Sequence, residues 1–219
     1  QINIILGNYY FDVNENYHKA LEYFKKALKV GKELDDIISI VLANMTMGCC
    51  LSDDGEFEKA LSCLEKALEI NTMANVPWGI VGMKTHITIG VYVRQGNIEL
   101  AHQTSQEALR IADESGDLFS KGYANFACGG SYYCMGFLDK AEEHLLRAVY
   151  FLEKSNLLGI AAFVLGFMSD TYLYLREYEK SQKFSERAIS LWQHSSMGSS
   201  YIKWNKIIIA LAKVMNNEK

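Results

Sequence analysis

The chain has 219 residues, a hydrophobic content of 49% and a formal net charge of −4 at pH 7. This is enough apolar material to bury a sizeable core, which excludes a disordered tail. The acidic balance lacks the basic footprint of a nucleic-acid-binding domain. No apolar run is long enough to cross a membrane, and no basic leader precedes a short apolar segment, so the sequence predicts a cytoplasmic protein without membrane or nucleic-acid partners.

The composition favours helices over strands. The chain has one proline, Pro77, and proline is the residue that most strongly breaks a helix. The five cysteines fall within predicted helices and lack CxxC spacing, and they are Cys49, Cys50, Cys63, Cys128 and Cys134. We interpret them as small apolar core residues in a reducing compartment rather than as a metal or redox site.

One helical phrase recurs five times along the chain, about 40 residues apart, with KALEYFKKAL as its first copy and KALSCLEKAL as its second. Each copy carries two small residues seven positions apart, namely Ala20 and Ala27, Ala60 and Ala67, Ala101 and Ala108, Ala141 and Ala148, and Ser181 and Ala188. Because seven residues make two helical turns, both lie on one face, where they let another helix approach closely.

A second predicted helix precedes each copy and has a small residue of its own. These residues are Gly7, Gly48, Gly90, Gly129 and Ser169. Between the two helices, Gly55, Gly96 and Gly136 supply the left-handed conformation that ends one helix before the next begins. The turn between the two helices of the third copy is shortened, so the alignment of Gly90 with the other small residues is defined only to within one residue.

This pattern resembles the tetratricopeptide repeat, which has a small residue and an aromatic on its first helix (A), then alanine, a large apolar residue and alanine on its second (B). Phe24, Leu64 and Leu145 fill the large apolar position, whereas Ser105 and Ser185 depart from the family pattern. The repeats exceed the usual length of about 34 residues. In this they are similar to the long repeats of bacterial multidomain signalling and regulatory proteins.

The resemblance implies an all-α fold, a right-handed α-solenoid of about five helix pairs and a final single helix. The repeats are expected at about 1–35, 36–75, 76–116, 117–156 and 157–196. The segment 199–216 is expected to be helix A of a truncated sixth repeat or a capping helix. Because Gln1 opens directly into a helical pattern, we expect a fragment of a larger protein.

The resemblance also implies a scaffold that binds a protein or peptide, with the site on the concave wall formed mainly by the A helices. The groove positions carried over from the family are Asn8, Phe11, Asp12, Met45, Cys49, Asp53, Val91, Arg94, Tyr123, Phe126, Gly130, Tyr133, Phe163, Asp170, Leu173 and Tyr174. Asp12, Asp53 and Asp170 would make the groove acidic and favour a basic ligand, although Arg94 interrupts this acidic surface. Equally open is the interpretation that the aromatic residues pack in the core and the charges are simply solvated.

Two alternatives remain. The chain could be a regulatory sensor segment of a nucleotide cyclase, ATPase or transcription regulator, in which a ligand or another domain of the same polypeptide changes the superhelix. It could also form homodimers through apolar solenoid ends, since Trp204, Ile207 and Leu211 make the last helix unusually apolar.

Catalysis is not expected, and neither is a cofactor or a metal. The histidines do not converge in the predicted fold, and they are His18, His86, His102, His144 and His194. Only His86 is placed where it could face the groove. No phosphate loop, nucleophile elbow or zinc-binding motif is present in the sequence.

Overall fold

The computed structural model describes residues 1–192 and 199–217, and these residues form helices joined by short turns, without a strand. The helices are α1 (Ile2–Asn8, continued by the π-helical turn Tyr9–Val13), α2 (Tyr17–Glu33), α3 (Ile37–Asp53), α4 (Phe57–Met73), α5 (Pro77–His86, continued by the π-helical turn Ile87–Tyr92 and a last turn Val93–Gln95), α6 (Ile98–Ser115), α7 (Leu118–Cys134), α8 (Leu138–Lys154), α9 (Leu158–Tyr174), α10 (Tyr178–Trp192) and α11 (Ser199–Asn217).

Successive helices pack against each other as antiparallel pairs, and the pairs stack into a right-handed α-solenoid. The odd-numbered helices α1 to α9 are the A helices of five repeats, and their partners α2 to α10 are the B helices. His194, expected at the protein surface, lies outside the described residues.

Each repeat is longer than usual because its helices are long, not because its turns are. Each of the nine turns from α1 to α10 contains one residue with a positive φ, and these residues are Glu15, Asp35, Gly55, Asn75, Gly96, Gly116, Gly136, Asn156 and Arg176. These residues follow one another at intervals of twenty or twenty-one, so the turns between α1 and α10 are short, and most helices have 17 residues. Only glycine takes this conformation without a steric cost, so the other residues are held there by the packing of their helices.

Within a repeat, helices A and B approach closely at a glycine. A Cβ atom added to Gly48 would lie 2.6 Å from Cγ of Leu64, and one added to Gly129 would lie 2.6 Å from Cγ of Leu145. Both leucines are buried, so each fills the space that the missing side chain leaves. The second and fourth repeats therefore follow the family pattern closely.

The third repeat differs from the sequence-based expectation. Gly90 was expected to face its B helix, but a Cβ atom added there would lie 3.1 Å from Oγ of Ser52 on α3, in the preceding repeat. The fully buried small residue on this π-helical turn, which packs against α6, is Thr88. The assignment of Gly90 was therefore wrong.

A π-helical turn accounts for the displacement. Thr88 precedes Ala101 by 13 residues, and Gly7 precedes Ala20 by the same interval, whereas the equivalent interval in the other three repeats is 12. The first and third repeats are also the two whose A helices contain a π-helical turn. Such a turn accommodates one extra residue and is often found at functional sites.

The last helix closes the solenoid. Helix α11 packs against α10 and α9, and it also reaches the π-helical turn Tyr9–Val13 of α1 at the opposite end of the chain. Asn205, Ile208 and Ala212 are its buried residues, while Ile207 and Leu211 stay partly exposed. The first and last helices thus meet at the edge of the concave side.

Candidate ligand-binding site

A cavity of about 240 Å³ occupies the interior of the solenoid, and we call it the inner cavity. Its lining comes from α1, α3, α4, α5, α7, α9 and the last two helices, so all five repeats contribute. The lining residues are Phe11, Asp12, Cys49, Ser52, Asp53, Leu64, Thr85, His86, Ile89, Gly90, Arg94, Tyr123, Phe126, Gly159, Ile160, Phe163, Trp192 and Tyr201.

A second cavity, of about 520 Å³, adjoins the first and is called the mouth cavity. It is lined by Phe11, Asp12, Glu15, Tyr17, Asp53, Arg94, Phe163, Tyr201 and Trp204. Six of these residues also line the inner cavity, so the two spaces are continuous. Together they have the size and the mixed apolar and polar lining that are typical of ligand sites.

An ion pair between neighbouring repeats marks the boundary of the two cavities. Nη1 of Arg94 lies 2.7 Å from Oδ1 of Asp53 and donates a hydrogen bond of 2.9 Å to the carbonyl oxygen of Ser52. The Ser52 hydroxyl donates in turn to the carbonyl oxygen of Gly90, on the π-helical turn of α5. This network fixes the charged groups of α3 and α5 relative to each other.

Asp12 stands apart from this network. Its side chain is half-buried on the π-helical turn of α1, and within the described residues it has no hydrogen bond or ion pair. Burial, with a smaller contribution from the charge of Asp53, raises its pKa to about 6. The cavity therefore contains a carboxyl group that the protein itself does not neutralise.

A cysteine and a histidine meet at the back of the inner cavity. Sγ of Cys49 lies 3.5 Å from Nδ1 of His86, and the His86 ring contacts that of Tyr123. Burial raises the pKa of the Cys49 thiol to about 12 and lowers that of His86 to about 4. Both groups are therefore neutral at pH 7, unlike the thiolate of a nucleophilic cysteine.

Aromatic rings form the opposite wall. Phe126 meets Phe163 edge-on at 5.8 Å between ring centroids, and Phe163 meets Tyr201 in the same way at 5.3 Å. Tyr201 also stacks on Trp192 at 5.3 Å. Burial, followed by the charges of Asp53 and Asp12, raises the pKa of Tyr201.

The structure brings about half of the expected groove residues into these cavities. Phe11, Asp12, Cys49, Asp53, Arg94, Tyr123, Phe126 and Phe163 line the inner cavity. Asn8, Met45, Tyr133, Asp170 and Tyr174 do not line either cavity. Tyr133 packs edge-on against Phe167, Asp170 accepts a hydrogen bond of 3.1 Å from Nε1 of Trp204, and Tyr174 is 79% exposed.

Three further expected positions do not line either cavity. Val91 is fully buried in the core around Leu64 and Ala67. Gly130 is covered by Ile89, whose Cδ1 would lie 2.2 Å from an added Cβ. Leu173 is half-buried and lines neither cavity.

Sequence reasoning missed the contribution of the last two helices. Trp192, Tyr201 and Trp204 all line the site, although the segment around Trp204 was interpreted as an apolar free end. His86 does line the inner cavity. His144, by contrast, lies on a B helix, where its Nδ1 is 2.9 Å from Oδ1 of Asn125.

The described residues lack both a metal site and a membrane span. No group of three or more His, Cys, Asp or Glu side chains has the geometry to hold a metal ion. Among the helices of the described ranges, none combines the length and hydrophobicity needed to span a bilayer.

Comparisons with known proteins support the architecture. Residues 1–73 match the family model described as tetratricopeptide repeat. No curated protein sequence matches the chain. Among solved structures, BtubC (BKLC) from P. vanneervenii is similar at 16% identity and a TM-score of 0.65, over 92% of this chain and 84% of BtubC.

Two other solved structures are also similar. One is the Pyrococcus horikoshii signal transduction ATPase with numerous domains (STAND) that has a tetratricopeptide repeat sensor, at 22% identity and a TM-score of 0.60. This chain is covered over 98% of its length but spans only 33% of that protein. The apo form of RapI matches at 16% identity and a TM-score of 0.62, over 98% of this chain and 82% of RapI.

At these identities the solved structures show the fold alone. The family match lies in the first two repeats, and the same helix pairs continue through α10. Residues 1–73 are therefore similar to the tetratricopeptide repeat, and the described chain as a whole has the α-solenoid fold of the solved structures.

Proposed function

We propose that this solenoid binds a short peptide, or a ligand of similar size, in its interior. The observation that carries the proposal is the inner cavity of about 240 Å³, which lies on the concave side where α11 reaches α1. A folded domain would not fit in a cavity of this volume. Tetratricopeptide repeats are generally protein-interaction or sensor modules, and a cavity of this size favours a small occupant.

The lining supports recognition rather than catalysis. Phe126, Phe163 and Tyr201 hold one another edge-on, so their rings are in place before a ligand arrives. Pre-organised aromatic side chains lose little conformational entropy on binding. The neutral Cys49 and His86 offer hydrogen-bonding groups but no activated nucleophile.

A cavity-filling variant tests this proposal. A library of short fluorescein-labelled peptides would be screened by fluorescence anisotropy, and the best binders would be titrated against wild type and Cys49→Met. We expect the added bulk to weaken binding by about tenfold or more, which corresponds to about 1.4 kcal/mol. Cys134→Met is the matched control, because Cys134 is also half-buried but lines neither cavity.

The binding comparison requires that both variants are folded. Both variants should keep the helical circular dichroism of wild type. Equal binding by wild type and Cys49→Met would contradict the interior site, and the absence of any binder in the library would contradict the proposed function itself.

A sensor role is a second candidate, favoured by the position of α11. Tyr201 and Trp204 of this helix form one wall of the mouth cavity, and Phe11 and Asp12 of α1 form another. A ligand between them would change the distance from α11 to α1 and so the pitch of the solenoid. Small-angle scattering with and without a selected peptide tests this, and an unchanged envelope would contradict the sensor role.

Self-association is a separate proposal. Ile2 and Ile5 on α1 and Ile207 and Val214 on α11 are exposed apolar side chains. Sedimentation velocity over the micromolar range tests it, and a monomer throughout would contradict it. A cytoplasmic location and a signalling role stay predictions from the sequence.

A further inference from the structure

We propose that the mouth cavity binds the organic cation of the ligand, an ammonium or guanidinium group held between Asp12 and a set of aromatic rings. The inference rests on the proposed function and specifies the chemistry of one end of the ligand. Three observations carry it: the charge balance of the lining, the unpaired state of Asp12, and the aromatic walls.

The lining has an excess of negative charge. Asp12 and Asp53 contribute two carboxylates to the mouth cavity, and Arg94 contributes the one cationic side chain of the described lining. Arg94 is already engaged by Asp53 at 2.7 Å. An anionic ligand would have to compete with that ion pair, whereas a cationic ligand would not.

Asp12 is placed to receive such a group. It lines both cavities, and within the described ranges no basic side chain pairs with it. A half-buried carboxylate without a partner is unfavourable, and a cation would relieve this by a charge-assisted hydrogen bond. The raised pKa of Asp12 agrees with this unrelieved state.

The remaining walls of the mouth cavity are aromatic. Phe11 and Tyr17 lie 5.8 Å apart at a tilt of 54°, and Phe163, Tyr201 and Trp204 complete the lining. A cation near the face of an aromatic ring is attracted by the ring quadrupole, and a set of such rings is a common means of binding ammonium ligands. An apolar ligand end would suit the rings equally, but it would leave the half-buried Asp12 without a partner.

The chain itself uses this interaction elsewhere. Nζ of Lys19 lies 4.3 Å from the ring centroid of Tyr10, and that of Lys180 lies 4.8 Å from the ring centroid of Tyr172. Among the described residues, however, no lysine lines the mouth cavity. Its rings are therefore available to a cation from outside the chain.

Matched ligands test the proposal. N-acetyl-arginine amide and N-acetyl-lysine amide would be titrated by ligand-observed NMR beside N-acetyl-citrulline amide, which has nearly the same shape as arginine without its charge. Leucinamide and N-acetyl-leucinamide form a second pair, which distinguishes a free α-amine from a cationic side chain. We expect the cationic member of at least one pair to bind about fivefold more tightly, and equal affinity within both pairs would overturn the proposal.

Asp12→Asn supplies the protein arm of the experiment. It keeps the shape of the side chain, and we expect it to remove most of the preference for the cation. Asp113→Asn is the control, because Asp113 is an exposed aspartate on the B helix α6 and lines neither cavity. A preference that survives in Asp12→Asn, or that is lost equally in the control, would also overturn the proposal.

Failure of this inference is distinguishable from failure of the proposed function. If neutral peptides bind and Cys49→Met weakens them, the interior site stands and the cation preference fails. If no peptide or amide binds, both fail.

Discussion

The third and fourth repeats are both pairs of helices, but the contact between helix A and helix B differs in the two. In the fourth repeat, Gly129 and Leu145 meet across the pair and close it tightly. In the third, an extra residue within a π-helical turn puts Thr88 at the corresponding place, and the partner position on helix B is the small Ser105. The fourth repeat thus buries a large leucine at this contact between helices A and B, whereas the third has a small serine at the same position.

In the third repeat, the π-helical turn changes the direction in which the residues after Thr88 face. Ile89 covers Gly130 and lines the inner cavity, and Arg94 reaches Asp53 of the preceding repeat. The first repeat, which has the other π-helical turn, presents Phe11 and Asp12 to the same space. Irregularity in this solenoid therefore coincides with the site, as expected when local structure serves function rather than packing.

The largest expected effect is on the large apolar position of helix B. Leu145→Ala should lower the free energy of unfolding by about 3 kcal/mol, because it leaves a cavity against Gly129. Ser105→Ala in the third repeat should cost about 1 kcal/mol, through loss of its hydrogen bonds to Ser131 and to the His102 carbonyl. Urea unfolding followed by circular dichroism measures both, and equal costs would remove the distinction between the two repeats.

A smaller effect is expected at the glycine of the fourth repeat. Gly129→Ala should destabilise by about 2 kcal/mol, because the new Cβ would lie 2.6 Å from Cγ of Leu145. Gly82→Ala is the control, since its Cβ would make only an ordinary contact of 3.8 Å with Phe119. We expect that change to be neutral or slightly stabilising in the same urea experiment, and a loss at both positions would show that close approach is not the cause.

Asp12→Asn is expected to stabilise the protein. The folded-state pKa of about 6 lies above the ordinary value of 3.8, so the native state favours the protonated carboxyl, and the resulting stability is lost as pH rises from about 4 through 6. At about pH 7.5 asparagine should gain about 1 kcal/mol, a value reduced for solvent screening of a half-buried group. Thermal unfolding at about pH 7.5 and pH 4 checks this, and a gain that does not shrink at the lower pH would contradict the assignment.

The smallest expected effect concerns the turns. Arg176 has a φ of 61° in the fifth repeat, where the fourth has Gly136 with a φ of 78°. Arg176→Gly should therefore stabilise by about 0.5 kcal/mol, and the reciprocal Gly136→Arg should destabilise by about 1 kcal/mol. Melting temperatures of the two variants test this, and changes of the same sign would be inconsistent with steric strain at these turns.

Much of the fold follows from local sequence. The small residues Ala20, Ala60 and Ala141 mark B helices without reference to the rest of the chain, and Gly55 and Gly136 mark turns. The left-handed turns at non-glycine residues such as Asn156 give no such signal. They could be found only by counting twenty residues from one turn to the next.

The site was less predictable, for two physical reasons. A one-residue insertion shifts which side chains face inward, and its only trace is the interval of 13 residues before Ala101 in place of 12. The closure of α11 on α1 joins residues about 190 positions apart, as for Tyr201 and Phe11, and no local pattern encodes such a contact. The sequence therefore indicated the exposed apolar residues of α11, such as Ile207 and Leu211, but not that Tyr201 lines the site.

Hydrogen–deuterium exchange with and without a saturating pool of short peptides tests the interior site most directly. The account predicts slower exchange in the π-helical turns Tyr9–Val13 and Ile87–Tyr92 and in α11, with little change on the B helices α6 and α8. Protection confined to α6 and α8, or no protection anywhere, would contradict it.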